Sequence, residues 1–395
     1  MRVRGILFGV VACLLGTTAL AADWPQWRGP SRNGISAEKG WISKWSGAGP
    51  RKLWAKQLGE GFASVAVAGG RLYTMGNLAN QDTVYCFDAV TGKPVWHVRY
   101  PCSPGDYGGP RATPTISANK VYTLSREGQA FCFDAMTGKI VWQRHLQREG
   151  RADVPRWGFA SSPLIEGNLV IYNLGASGAA MDKNTGKPAW FSGNGAAGYA
   201  SPVSYTVGNQ HGVALFAATG IIAVNPVNGR PYWQHPWNTQ YDVNAADPIF
   251  VGNQVFISSN YDRGCALLNV GGARPSVAWE NRNMRNHFNS CILLNGALYG
   301  NDQNTLKCLD LKTGAERWQM RGLGKGGLIS ADGKLIVLTE RGELLCVAAT
   351  PTKYTELARA QVMGGTCWTH PVLANGLLYC RSHEGELICL DLRGK

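Results

Sequence analysis

The sequence predicts an all-β protein: an eight-bladed β-propeller of four-stranded antiparallel blades, with the ring closed by an N-terminal strand in the last blade. Three observations predict it. A turn phrase recurs along the chain, tryptophans return with a four-strand period, and the final repeat stops one strand short.

The phrase reads Asp88-Ala-Val-Thr91-Gly92-Lys93-Pro-Val-Trp96 and returns at Asp134 to Trp142, Asp182 to Trp190, Asn225 to Trp233 and Asp310 to Trp318. Before it comes an alternating apolar run such as Lys120-Val-Tyr-Thr-Leu, a turn such as Glu127-Gly128, and a second run such as Ala130-Phe-Cys-Phe. That order is strand, hairpin, strand, tight turn, strand. Asp or Asn bonds the turn's own amides, and Gly accepts the positive φ that a side chain resists.

The tryptophans Trp54, Trp96, Trp142, Trp190, Trp233, Trp279 and Trp318 average about 44 residues apart, the period of a four-stranded blade. One indole per repeat suits stacked sheets, because no blade buries its apolar face alone. A further repeat, 326–360, lacks the Trp. The last repeat runs from Pro371 to Lys395 and ends before its Trp, while Arg51-Lys-Leu-Trp54-Ala-Lys is an orphan strand near the N-terminus. Pairing the two closes the ring and leaves no free sheet edge, so a monomer is expected rather than an open solenoid.

Domain organisation follows. Arg2 and Arg4, the apolar run Ile6 to Leu15 and Ala19-Leu20-Ala21 have the order of a cleavable signal peptide, residues 1–21. Export to the periplasm or beyond is expected, with no transmembrane segment. Residues 22–50, carrying Trp24, Trp27 and Arg28 among Pro and Gly, form an N-terminal segment expected to cap the ring; residues 51–395 form the propeller. The 39 Lys and Arg exceed the 26 Asp and Glu, and removing Arg2 and Arg4 takes the charge from +13 to +11. That balance favours anionic partners. Nucleic acid is not among them, since export and the lack of a basic recognition element weigh against it. No G-x-S-x-G, H-E-x-x-H or Gly-rich phosphate loop is present.

Ten cysteines remain after removal of the signal. Cys86, Cys132, Cys308, Cys346 and Cys389 share one repeat position and read as small core residues. A two-residue turn at Glu384-Gly385 would set Cys389 opposite Cys380, and a disulfide between them is the one pairing considered. Cys367, His370, Cys380 and His383 have zinc-ligand chemistry, but strand alternation sends Cys380 and His383 to opposite faces, so no metal site is expected.

Propeller topology brings the segments leading into the innermost strands, and the hairpins between second and third strands, to one face near the channel. The candidate ligand-binding residues there are Arg111, Trp157, Asp242, Asn244, Arg263, Arg285, Asn286, His287, Lys325, Arg341 and Trp368. They differ from blade to blade, so repeat geometry does not explain them, and they suit an anionic or polyhydroxy ligand. His287 with Asp242 has the composition of a base and its orienting partner.

The Asp-x-x-Thr-Gly-Lys-x-x-Trp phrase resembles the tryptophan-docking repeat of pyrroloquinoline quinone (PQQ) propellers, which include quinoprotein alcohol dehydrogenases and the BamB-type outer-membrane assembly factor. Trp24-Pro-Gln-Trp27-Arg-Gly-Pro30, Tyr241-Asp-Val-Asn244-Ala-Ala, Asn283-Met-Arg-Asn-His287-Phe and Gly322-Leu-Gly-Lys325-Gly are similar to a narrower group of PQQ-like bacterial envelope proteins. The resemblance implies a binding scaffold for an envelope protein or small ligand, or an oxidoreductase using PQQ and Ca²⁺ on alcohols or polyols. A dehydrogenase would carry adjacent cysteines, and no two cysteines here are adjacent; no C-x-x-C-H haem attachment is present either. A non-catalytic scaffold is therefore the leading expectation, with the oxidoreductase and a glycan-binding propeller as alternatives.

Overall fold

The computed structural model describes residues 22–272 and 274–394; the expected signal peptide, residues 1–21, lies outside them. Eight blades of four antiparallel strands follow one another around a ring, one of them extended by a short fifth strand. Blades 1 to 7 span residues 66–101, 115–145, 164–191, 203–236, 249–281, 292–321 and 327–361. Blade 8 joins 372–391 to Arg51–Gln57 from the other end of the chain, with Trp54 opposite Cys389. Among the described residues, helix is confined to Leu146–Gly150 and a 3₁₀ turn at Gln240–Asp242, and none of it is long and apolar enough to cross a membrane.

The repeat phrase holds neighbouring blades together. In blades 1, 2, 6 and 8 a buried Cys stands opposite a Tyr on one side and the Trp on the other, as in Tyr73, Cys86 and Trp96. The small thiol leaves room between two large rings. Each indole N–H then reaches a turn carbonyl of the next blade: Trp96 to Ala135 at 3.0 Å, Trp142 to Lys183 at 3.0 Å, Trp190 to Pro226 at 2.9 Å. The phrase glycine lies under the arriving ring, where a Cβ at Gly138 would stand 2.7 Å from Trp96. Gly is therefore required twice there, for φ of +74° and for the indole. Trp233 departs from the pattern because blade 5 has no such phrase, and it donates instead to the Tyr205 hydroxyl at 3.1 Å.

The considered disulfide is corrected by the register. The hairpin of blade 8 turns through three residues, with the Ser382 amide bonded to Glu386 O at 2.9 Å and Gly385 at φ +98°. Cys389 thus faces Tyr379 and Cys380 faces Ile388. A one-residue shift reverses which side of a sheet a residue occupies, and both thiols are free and buried.

One buried carboxyl in blade 1 carries a pH dependence. Asp82 is fully buried; its Oδ1 accepts from Asn77 Nδ2 at 2.8 Å, and its Oδ2 has no partner. Burial pushes its pKa up to about 6. The folded protein holds this proton more tightly than the unfolded chain does. Stability is therefore expected to fall as pH rises from about 4 to about 6 and then level off. Asp82→Asn keeps the Asn77 contact, so it should abolish that slope and raise stability at pH 7 by about 1–3 kcal/mol. Urea denaturation of both proteins at pH 4.5 and 7 checks this; equal slopes would refute it.

Candidate functional site

The site is built on a ring of side-chain to backbone bonds lining the channel. Two residues before the innermost strand of blades 1 to 6 stand Ser64, Thr113, Ser162, Ser201, Asp247 and Ser290. The N–H of each of the first five donates to the side chain of the next, at 3.0, 2.9, 3.0, 2.9 and 2.8 Å in turn. Ser64 Oγ donates back to His370 O of blade 8 at 3.0 Å. Small hydroxyls suit these positions because they satisfy a buried amide without filling the channel. Asp247 is the exception, and the N-terminal segment explains it.

That segment enters from the far side of the channel. Trp24 bridges to Val67 of blade 1, and Pro25 O accepts from Ile116 of blade 2. Arg32 donates to Pro163 O of blade 3 at 3.1 Å, and Ile35–Ser36 adds a parallel strand to blade 7. Arg28, only 3% exposed, donates to Cys291 O at 2.8 Å and lies 3.8 Å from Asp247. Burial pushes the Asp247 carboxyl up, against the opposing pull of Arg28, Arg32 and its hydrogen bonds. Trp27 completes the floor: its indole donates to Asp247 Oδ2 at 2.7 Å and meets His370 edge-on at 5.0 Å.

Above this floor is a cavity of about 230 Å³. Its wall is an arc of rings. His383, Phe62 and Trp368 stack in series at 4.4 and 5.7 Å, and Phe288 meets Trp368 at 4.7 Å and stacks on His287 at 3.8 Å. The arc continues edge-to-face through Tyr261 and Tyr241 to Trp157. Tyr107, Tyr241 and Tyr261 hold left-handed backbone, φ 52°, 61° and 53°. Bulky residues pay strain for that conformation, which gathers where a side chain must be aimed.

Cations sit over the rings. Arg111 is 5.3 Å from the Phe62 centroid, Lys325 is 5.6 Å from Phe288 and 5.8 Å from Trp368, and Arg156 is about 5 Å from both Trp157 and Tyr241. Burial, helped by the nearby Lys325 charge, pushes His287 down to about 3, so its imidazole is neutral. Burial also lowers Arg111 to about 10, which leaves it charged at neutral pH.

Of the residues singled out from sequence, Arg111, Trp157, His287, Lys325 and Trp368 line this cavity together. The other six stand apart from it. Asn244 is buried and bonds Ala217 O, Trp237 O and Ser259. Asn286 is buried against Asn301 O and Cys291. Arg285 pairs with Asp302 and Asp262, Arg263 pairs with Glu280 over the Trp237 ring, and Asp242 and Arg341 are exposed. The base and orienter considered from sequence do not meet, because His287 Nε2 bonds the Tyr261 hydroxyl at 3.2 Å and its Nδ1 is buried without a partner.

Sequence reading missed Trp27, Phe62, Tyr107, Tyr199, Tyr261 and Phe288. A signal for three of them, Phe62, Tyr199 and Phe288, exists. Phe62, Arg111, Ala160, Tyr199, Ala245, Phe288 and Trp368 all stand two residues before the inner-ring position of their blade, and all seven line the cavity. Aligning the repeats at that position picks out the wall.

A family model described as outer membrane protein assembly factor BamB matches residues 37–105 and 103–320. No curated protein sequence matches the chain. Among solved structures it is similar to BamB from Moraxella catarrhalis, with 15% identity, a TM-score of 0.64, and 87% of this chain and 99% of that one covered. It is also similar to the quinohemoprotein alcohol dehydrogenase ADHIIG from Pseudomonas putida HK5, with 15% identity, a TM-score of 0.66, and coverage of 95% and 81%. A europium-containing methanol dehydrogenase aligns with 13% identity, a TM-score of 0.64, and coverage of 93% and 89%. At these identities the likeness establishes the fold.

Proposed function

The chain belongs to the family of PQQ-like β-propellers represented by the BamB assembly factor, and from that premise we propose that it is a non-catalytic binding scaffold of the cell envelope. Its channel mouth takes an anionic, ring-bearing ligand. The single observation that carries this reading is the aromatic arc with Arg111, Arg156 and Lys325 above it, closed below by Trp27. A concave, mostly apolar site with a few convergent charges is what a small ligand requires. The family match and the N-terminal signal pattern support an envelope setting.

The alternative is a quinoprotein oxidoreductase, favoured by the likeness to the two dehydrogenases. The residues present do not fit Ca²⁺. The cavity lining has one carboxylate, Asp247, already committed to Trp27, the Ser201 amide and Arg28. Among the described residues no three His, Cys, Asp or Glu side chains cluster. A hard cation takes six to eight oxygen ligands, usually several from carboxylates. The neutral His287, with no carboxylate to orient it and a pKa lowered to about 3, is also a poor general base at neutral pH.

Two measurements separate the readings. A dye-linked alcohol assay after addition of PQQ and Ca²⁺ should show no turnover, and cofactor-dependent turnover would overturn the scaffold reading. Pull-down on insoluble glycan, followed by calorimetry with soluble acidic fragments, should show binding. Trp368→Ala is expected to weaken that binding by about tenfold, since an indole face contributes about 1–2 kcal/mol. Unchanged retention would remove Trp368 from the site.

A further inference from the structure

Arginines on the side of the mouth formed by blades 2 and 3 have no acidic partner. Arg111 is held by backbone alone, donating to Gly109 O at 3.1 Å, Asp106 O at 3.2 Å and Tyr107 O at 2.8 Å. Arg126 packs its guanidinium against the same loop, where any side chain at Gly105 would collide with it, and its Cβ and Nε lie against Gly158. Its Nε is buried and unbonded, and no ion pair forms to it. Arg156, two residues before Gly158, is exposed and lies over the Trp157 and Tyr241 rings. The acids near these segments, Asp82, Asp106, Glu127 and Asp153, make no salt bridge with any of the three, although the Arg126 charge reaches the buried Asp82 carboxyl.

The Arg126 charge opposes that of Arg111 across their shared loop, Arg156 stands on the neighbouring turn that Arg126 packs against, and like charges gathered without a counter-charge cost stability. Some arginines of the molecule find carboxylates, as Arg285 does with Asp302, Arg359 with Glu343 and Glu356, and Arg28 with Asp247, whereas the buried Arg381 bonds only carbonyls and a hydroxyl. An arginine fork with a free edge is suited to planar or tetrahedral oxyanions, which it binds through paired N–H donors.

We infer that Arg111, Arg126 and Arg156 form an anion subsite that receives a sulfate, carboxylate or phosphate group of the ligand, while the ring bearing it rests against Trp157 and the opposite aromatic wall. The inference deepens the binding function proposed above and rests on it. It names the charged half of the ligand, and it draws on Arg126 and Arg156, which do not line the cavity itself.

The test uses the full mature chain and matched probes: a sulfated and an unsulfated dextran oligosaccharide, oligogalacturonate, and inorganic phosphate, each titrated by calorimetry at low and high salt. At least one anionic probe should bind tenfold or more tightly than the neutral oligosaccharide, with affinity falling as salt rises. Which probe does so identifies the oxyanion. Arg126→Gln and Arg156→Gln should each weaken that probe by about tenfold and leave the neutral oligosaccharide unaffected, and Arg126→Lys should recover part of the loss. Arg156 is exposed, so its variant folds and the test stands even where Arg126→Gln does not. If anionic and neutral oligosaccharides bind alike and neither Gln variant matters, the subsite is refuted and the binding scaffold survives. If no probe binds, both are refuted.

Discussion

Arg28→Ala is expected to destabilise the folded ring by about 3–5 kcal/mol, because it takes the nearest cation from the buried Asp247 carboxylate and leaves only the more distant Arg32. Asp247 sits in the channel at a position that five other blades fill with Ser or Thr, and Arg28 is the cation that makes a carboxylate tolerable there. The loss also frees Cys291 O and the turn carbonyls of Arg32 and Asn33, which the same guanidinium satisfies. The cause can be isolated with a second change. Asp247→Ser restores the ring's ordinary hydroxyl, which still accepts from Ser201 N–H, so the double variant should be more stable than Arg28→Ala alone. Denaturant midpoints of the single and double variants decide the matter. A double variant no better than the single would show that the ion pair is not what Arg28 supplies.

Arg381→Met should open the seam between the first and last blades, at a cost of about 2–4 kcal/mol. Arg381 is fully buried in blade 8 and has no carboxylate partner. It donates instead to Ala63 O at 2.7 Å, to Met75 O, to the Thr74 hydroxyl at 3.2 Å and to Gly59 O at 3.4 Å. Those acceptors belong to blade 1 and the connection leading into it from blade 8, so one guanidinium spans the joint between the last blade and the first. Burial lowers its pKa to about 10, which leaves it charged at neutral pH. Methionine fills the volume but leaves several carbonyls without donors. Lysine should rescue little, since a single ammonium cannot reach acceptors on both sides of a fork. Hydrogen exchange localised to residues 51–57 and 386–391 would report the opened seam; protection unchanged there would refute the role.

The cysteine pair shows where sequence reasoning reached its limit. Whether Cys380 and Cys389 face each other depends on one residue in the turn, and Ser382 to Glu386 closes a three-residue loop where two were expected. The N-terminal segment, expected to lie across the ring as a cap, does touch several blades; what its Trp and Arg content did not reveal is that Trp27 forms the floor of the cavity and that Arg28 pairs with Asp247, which stands where other blades carry a hydroxyl.

The sequence by itself determined the blade. Alternation, the Asp-x-x-Thr-Gly turn and the docking Trp are local requirements, satisfied within one repeat and its neighbour, so they are written out each time they are needed. It also determined the closure, because a repeat missing a strand and a strand missing a repeat have only each other. Only the tertiary structure decided the site. Phe62, Arg111, Tyr199, Phe288 and Trp368 come from five blades and meet because the ring closes at a particular radius, a distance no single repeat encodes. Charge alone picked out Arg263, Arg285 and Arg341, whose side chains turn away to acids or to solvent. Which way a loop side chain points is set by the blade beside it, and that contact exists only once the circle is complete.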